Sequence, residues 1–150
     1  MEAYLSVPNT TVVVTVRDPS ISQSLSALPA AAGSRLIIVK MEMASSESIV
    51  SGIETLKTTH GINAIDTVIA NAGISGPTPS LAQAPVAEIQ KYIDVNAYGP
   101  LELFKATLPL LRSASIDGNK AKFVLVSSAG GSLTNMYDFS KWNCPQHTSH

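Results

Sequence analysis

Four short runs of β-branched and aliphatic residues, each closed by a polar or glycine-bearing turn, constrain the fold more than any other feature. They are "TTVVVTV" (residues 10–16), "RLIIVKMEM" (35–43), "AIDTVIA" (64–70) and "KFVLVSS" (122–128). Apolar residues occupy successive rather than alternating positions, which predicts strands covered on both faces, as in a parallel sheet. Helical periodicity fills the intervals at residues 20–28, 45–60 and 89–111, the last interrupted near Gly99 and Pro100. In the second of these, Ile49, Ile53 and Leu56 share one stripe, Ser46 or Ser48 is placed to cap the start, and Gly61 to end it. Strand and helix in alternation predict an α/β domain over residues 1–150, with an open, mostly parallel sheet and right-handed crossovers.

Composition narrows the function classes. The 150 residues carry a formal net charge of −1 and only 14% charged side chains, so no basic face is expected to neutralise a phosphate backbone, and nucleic acid is excluded as a partner. Cys144 is the only cysteine, which excludes an internal disulfide and a thiolate metal cluster and fits a reducing compartment. The opening "MEAYLSVPNTT" has neither the basic start nor the apolar run of a secretory signal, and no apolar stretch reaches the ~20 residues that span a bilayer. A soluble cytoplasmic protein is the expectation.

In open α/β sheets ligands collect outside the carboxyl ends of the strands, and the polar residues of interest follow the strand runs. After the first run, "VRDP" places Arg17 before Asp18. An arginine there can grip the 2′-phosphate of NADP, whereas an acid there would bind the ribose hydroxyls of NAD; the plain alternative is a solvated Arg17 and a helix-capping Asp18. After the third run, Asn71, Ala72 and Gly73 are small enough for a dinucleotide to lie against the backbone, although alone they read equally as a turn. Asn96 sits among apolar residues of the long helix and is expected to face inward, fixing a lysine through water or capping the helix. Ser128, ahead of Gly130 and Gly131, either donates a hydrogen bond to a substrate carbonyl or simply forms a turn. Tyr137 and Lys141 stand four apart, so on a helix the ammonium would lower the phenol pKa from its usual ~10 and make it a proton donor near neutrality. His147 and His150 lie in an unpatterned tail and read as solvated residues rather than metal ligands.

Taken together, "NAG" after a strand, "VNAYGP" in a long helix, "VSSAGG" ending the next strand and "YDFSK" after it resemble the landmarks of the short-chain dehydrogenase/reductase family. The subgroup most similar in flavour is that of the fungal carbonyl reductases of polyketide pathways. The resemblance implies a partial, Rossmann-like, doubly wound sheet. It implies Tyr137 as proton donor to the substrate carbonyl, Lys141 as the residue lowering its pKa, Ser128 as the carbonyl-orienting group and Asn96 as the anchor of a relay water. It places Arg17, Glu42, Asn71, Ala72, Gly73 and, with little weight, Lys105 along an NADP cofactor, Glu42 near the adenine. A homo-oligomer formed through the long helix is a further implication.

Against the family pattern, the chain has no counterpart of the first strand or of its glycine-rich Thr-Gly-x-x-x-Gly-x-Gly turn, nor of the last strands. That turn supplies the backbone N–H groups that bind a pyrophosphate, so NADP affinity is expected to be weakened. The missing strand lies between the runs at residues 10–16 and 64–70, which must pair directly or accept a strand from elsewhere. Two readings follow: an NADP(H)-dependent oxidoreductase of a small carbonyl or alcohol in secondary metabolism, or a shortened relative without redox activity, acting as a cofactor-independent dehydratase, isomerase or cyclase, or as a binding partner.

Overall fold

The computed structural model describes residues 1–18, 20, 22–76, 83–115, 120–128, 132 and 134. Helices and strands alternate: α1 (Glu2–Leu5), β1 (Thr11–Val16), α2 (Ser22–Ser26), β2 (Arg35–Lys40), α3 (Ser46–Thr58), β3 (Thr67–Ala70), α4 (Val86–Ile93), a π-helical turn (Asp94–Tyr98), α5 (Gly99–Ala114) and β4 (Lys122–Leu125). The four strands, α2 and α3 fall within their expected segments; α4 begins three residues before the expected 89–111 helix and α5 ends three residues beyond it, and the short α1 lies outside the expected helical segments. The interruption of the long helix lies just before Gly99, as one wide π turn, and not at Pro100.

The strand pairs are parallel, as expected. β1 pairs with β2 from Thr11↔Arg35 to Val16↔Lys40, and β3 with β4 from Thr67↔Lys122 to Ala70↔Leu125. Among the described residues these form two separate two-stranded sheets, because β1 and β3 do not pair with each other. Direct pairing, one of the two ways of closing the sheet, is therefore absent there.

Both sheets lay one face on the same helices. Ile37 and Val39 of β2, Ala70 of β3, Ile49, Ile53 and Leu56 of α3, and Leu103 and Leu110 of α5 form one buried cluster with Met41 and Met43. Val13, Val68 and Phe123 pack against it from the other strands, and Phe123 meets Phe104 of α5 edge to face with ring centroids 5.1 Å apart. Each fully buried aliphatic side chain contributes about 1.5–3 kcal/mol, so the α3 stripe is a main fastening of the β1–β2 sheet to α5, which in turn packs on β3 and β4. The expectation of strands buried on both faces is corrected: on the far face Ile69 and Val124, which are register partners, are 44% and 41% exposed. Only one face of β3 and β4 is packed by helices among the described residues.

The start of α3 also differs from expectation. Its cap is Ser45, whose Oγ accepts the Ser48 N–H at 3.1 Å, rather than Ser46 or Ser48. The stop is as expected: Gly61, at φ +67°, turns the chain away just beyond the helix in the left-handed region that favours glycine. No helix among the described residues is long and apolar enough to cross a membrane.

Candidate functional site

Because the strands of each sheet run parallel, their carboxyl ends gather on one side, and a cavity of about 260 Å³ opens there. Thr15 and Arg17 from the end of β1, Met41, Glu42 and Met43 beyond β2, Ala72, Gly73 and Ile74 beyond β3, and Val95 from the π turn line it. The sequence-expected residues Arg17, Glu42, Ala72 and Gly73, up to 56 residues apart in sequence, are thus brought to one cleft by the parallel topology. Asn71 directly follows β3, next in sequence to Ala72, and is exposed.

Charge is distributed unequally over the neighbouring Arg17 and Asp18. Asp18 Oδ1 accepts the Ser20 N–H at 2.8 Å, and this bond, supported by the Ser20 hydroxyl and by Lys40, holds its carboxyl below the ordinary aspartate range. Asp18 is turned into its own loop and is not among the cavity-lining residues. Arg17 does line the cavity, and among the described residues its guanidinium forms no ion pair. The Asp18 side chain is engaged by Ser20, ahead of α2, while its arginine neighbour lines the cavity.

The wall beyond β3 is held by Asn96. Its Oδ1 accepts the Ile74 N–H at 2.8 Å and its Nδ2 donates to the Ile74 carbonyl at 2.9 Å. The expectation that Asn96 faces inward is corrected: the residue is exposed. A π turn inserts one extra residue into the helical repeat and re-aims the side chains around it, which brings this amide onto the backbone after "NAG". Gly73 is small for a reason of space, since a Cβ there would lie 3.3 Å from Asn96 Oδ1.

Beyond β2, the Glu42 N–H donates to Ser48 Oγ at 2.9 Å. Gly99 lies so close beneath Met43 that an added Cβ would stand 2.6 Å from the Met43 carbonyl oxygen. Sequence reasoning passed over Thr15, Met41, Met43, Ile74 and Val95 as cavity residues; Ile74 and Met43 directly adjoin recognised positions, which was the available signal.

The remaining candidates are placed as follows. Ser128 is exposed, three residues past β4, whose pairing with β3 is extended by the Val126 N–H to Ala70 carbonyl bond at 3.0 Å. Lys105 pairs with Glu102 at 2.7 Å on an exposed turn of α5 and is not among the cavity residues. Tyr137 and Lys141 lie outside the described residues, as do His147 and His150. Among the described residues no group of three or more His, Cys, Asp or Glu side chains is arranged to hold a metal ion.

A small-residue wall at Ala72 and Gly73, a cation at Arg17 with no ion pair among the described residues and a carboxylate at Glu42 suit a phosphorylated nucleoside: backbone can approach the ligand closely, the guanidinium suits a phosphate and the carboxylate an amino group.

Comparison with known proteins agrees with this geometry. A family model for short chain dehydrogenase matches residues 2–146. Relatives include the short chain dehydrogenase gsfK of Penicillium aethiopicum, 68% identical over 136 residues that cover 91% of this chain and 53% of the relative. The norsolorinic acid ketoreductase nor1 of Dothistroma septosporum is 37% identical, with 93% and 52% covered. Among solved structures, NADPH-bound carbonyl reductase from chicken fatty liver superposes with a TM-score of 0.72 at 25% identity, covering 85% of this chain and 52% of the other. A metagenomic short-chain oxidoreductase in complex with NADP gives 0.69 at 25% identity, with 89% and 60% covered. The chain spans about half the length of the relatives it matches.

Proposed function

This chain belongs to the short-chain dehydrogenase family, and from that premise we propose that it serves NADP(H)-dependent reduction of a carbonyl, or oxidation of the matching alcohol, on a small polyketide-like molecule. The observation that carries the choice of NADP is the division of labour at the end of β1: Arg17 lines the cavity without an ion pair among the described residues, while the Asp18 carboxylate is committed to Ser20. A free acid at that point would favour the ribose diol of NAD; a free guanidinium favours a 2′-phosphate. The 37% identity to a norsolorinic acid ketoreductase supports a polyketide-like ketone.

In this reading Arg17 binds the 2′-phosphate, Glu42 the adenine edge, and Asn71, Ala72 and Gly73 let the cofactor lie on the backbone. The nicotinamide cofactor, when bound, supplies or accepts the hydride. The chain's own groups handle the proton and the orientation. Ser128 donates a hydrogen bond that orients the substrate carbonyl, Tyr137 gives the proton to its oxygen, and Lys141 lowers the tyrosine pKa so that the transfer occurs near neutrality. Asn96 supports them by fixing the loop after β3 through Ile74.

Fluorescence titration of the purified chain with NADPH tests the proposal. Saturable binding, weakened in Arg17→Ala, is expected; a chain that binds no NADPH overturns it. Turnover of a ketone without nucleotide, abolished in Ser128→Ala, would replace it by the cofactor-independent reading.

A further inference from the structure

The segment Met41–Glu42–Met43 forms one wall of the cavity, and its three residues are held by three different contacts. Met41 and Met43 are buried in the core, 2% and 8% exposed. Met41 lies over Gly52 of α3, where an added Cβ would stand 2.6 Å from the Met41 Cε, and Met43 lies over Gly99 of α5. Between these two anchors Glu42 is only half-buried and lines the cavity. What holds its backbone is the part-buried bond from its N–H to Ser48 Oγ, 2.9 Å long.

That hydroxyl is not used by the helix that carries it. α3 is capped by Ser45, whose Oγ accepts the Ser48 N–H and donates to the Glu47 carboxylate at 3.0 Å. The Ser48 side chain instead reaches out of the first turn of α3 to the segment leaving β2. A buried or half-buried N–H requires a partner. By taking that role, Ser48 keeps the Glu42 N–H away from any ligand, so that Glu42 meets the cavity as an acceptor alone, through a carboxylate whose Oε1 also accepts the Ala44 N–H at 3.5 Å.

We infer that Ser48 is a positioning residue of the cavity, acting through Glu42 to set the hydrogen-bonding character of the wall that meets the nucleoside end of the ligand. The inference rests on the nucleotide reading above. It assigns to α3 a part in ligand recognition although no residue of that helix lines the cavity.

The test uses the full chain and 2′,5′-ADP, which carries adenine, ribose and the 2′-phosphate, titrated by calorimetry into wild type, Ser48→Ala, Ser48→Thr and Ser45→Ala. Loss of one hydrogen bond predicts a Kd raised about fivefold or more in Ser48→Ala, with Ser48→Thr restoring it to within about twofold. Ser45→Ala, which removes the cap of the same helix, is expected to lower the Tm with a smaller change in Kd. Amide hydrogen exchange gives a ligand-free readout: the Glu42 N–H is protected in wild type and in Ser48→Thr and exchanges faster in Ser48→Ala. Unchanged affinity in Ser48→Ala, equal weakening by Ser48→Ala and Ser45→Ala, or an unprotected Glu42 amide in wild type each overturns the inference and leaves the nucleotide reading standing. A wild type that does not bind 2′,5′-ADP removes the nucleotide reading and the inference with it.

Discussion

Asn96 grips both backbone polar atoms of Ile74, 22 residues earlier in the chain, accepting from its N–H at 2.8 Å and donating to its carbonyl at 2.9 Å. Only an amide satisfies both at once, because it carries an acceptor and a donor on one planar group. The clamp ties the π turn to the loop after β3, three of whose residues, Ala72, Gly73 and Ile74, line the cavity.

Asn96→Asp therefore separates the two bonds. The carboxylate still accepts the Ile74 N–H but meets the Ile74 carbonyl as a second acceptor. Both bonds are exposed, so each contributes near the low end of the usual range, and loss of the pair in Asn96→Ala is expected to cost about 1 kcal/mol in urea denaturation. Asn96→Asp should cost at least as much as Asn96→Ala, and NADPH affinity should fall in both. A fully stable Asn96→Asp chain would show that the clamp is idle.

Arg17→Ala is expected to weaken NADPH by about ten- to a hundredfold, the equivalent of one charge-assisted hydrogen bond of about 1.5–3 kcal/mol. NADH, which has no 2′-phosphate, should change little, so the ratio of the two dissociation constants is the measurement that matters. Arg17→Lys should fall between, since an ammonium meets a phosphate without the two-pronged geometry of a guanidinium.

Asp18 gives a pH test of the same loop. Its folded pKa lies below the ordinary value of about 3.9 because the Ser20 N–H bonds the charged form most strongly, with the Ser20 hydroxyl and Lys40 adding to it. The stabilisation is thus complete above the unfolded pKa and is lost as pH falls through the folded one. Carbon-detected titration of the carboxyl should place its midpoint below that of an unstructured aspartate. Asp18→Asn should remove this part of the acid sensitivity, and a midpoint at or above the ordinary value would contradict the geometry.

Which parts of this arrangement were legible in the sequence follows from the range of the interactions. The α3 stripe of Ile49, Ile53 and Leu56 and the parallel strands were legible because periodicity and β-branching report burial locally. Arg17, Ala72 and Gly73 were legible as cavity residues because a parallel sheet sends its strand ends to one side, whereas Glu42 was reached only through the family resemblance. The cap was placed one or three residues too late, at Ser46 or Ser48, since serines at 45, 46 and 48 offer equivalent oxygens and only backbone geometry selects Ser45. Asn96 was read as inward because its neighbours are apolar, but a π turn shifts the helical phase and carries no sequence pattern of its own. The Glu42–Ser48 bond lay beyond reach for a similar reason, as it depends on how a loop is laid against a helix.

Gly99→Ala sets two effects of opposite sign against each other. Within a helix, alanine is favoured over glycine by about 1 kcal/mol, so propensity alone predicts a more stable chain. The added Cβ, however, would stand 2.6 Å from the Met43 carbonyl oxygen and 3.2 Å from the Met43 Cβ. The nearer atom is backbone and cannot rotate aside as the end of a long side chain would, and Met43 is only 8% exposed within the cluster shared by both sheets. Overpacking of this kind costs about 1–3 kcal/mol and outweighs the propensity gain, so a lower Tm is expected. Relief of the clash requires Met43 to move away from α5, which displaces the wall next to Glu42, so the affinity for 2′,5′-ADP should fall together with the Tm. A Gly99→Ala chain with a raised Tm and unchanged affinity would mean that α5 and the segment after β2 have room to separate, and that the cavity wall is not fixed by their contact.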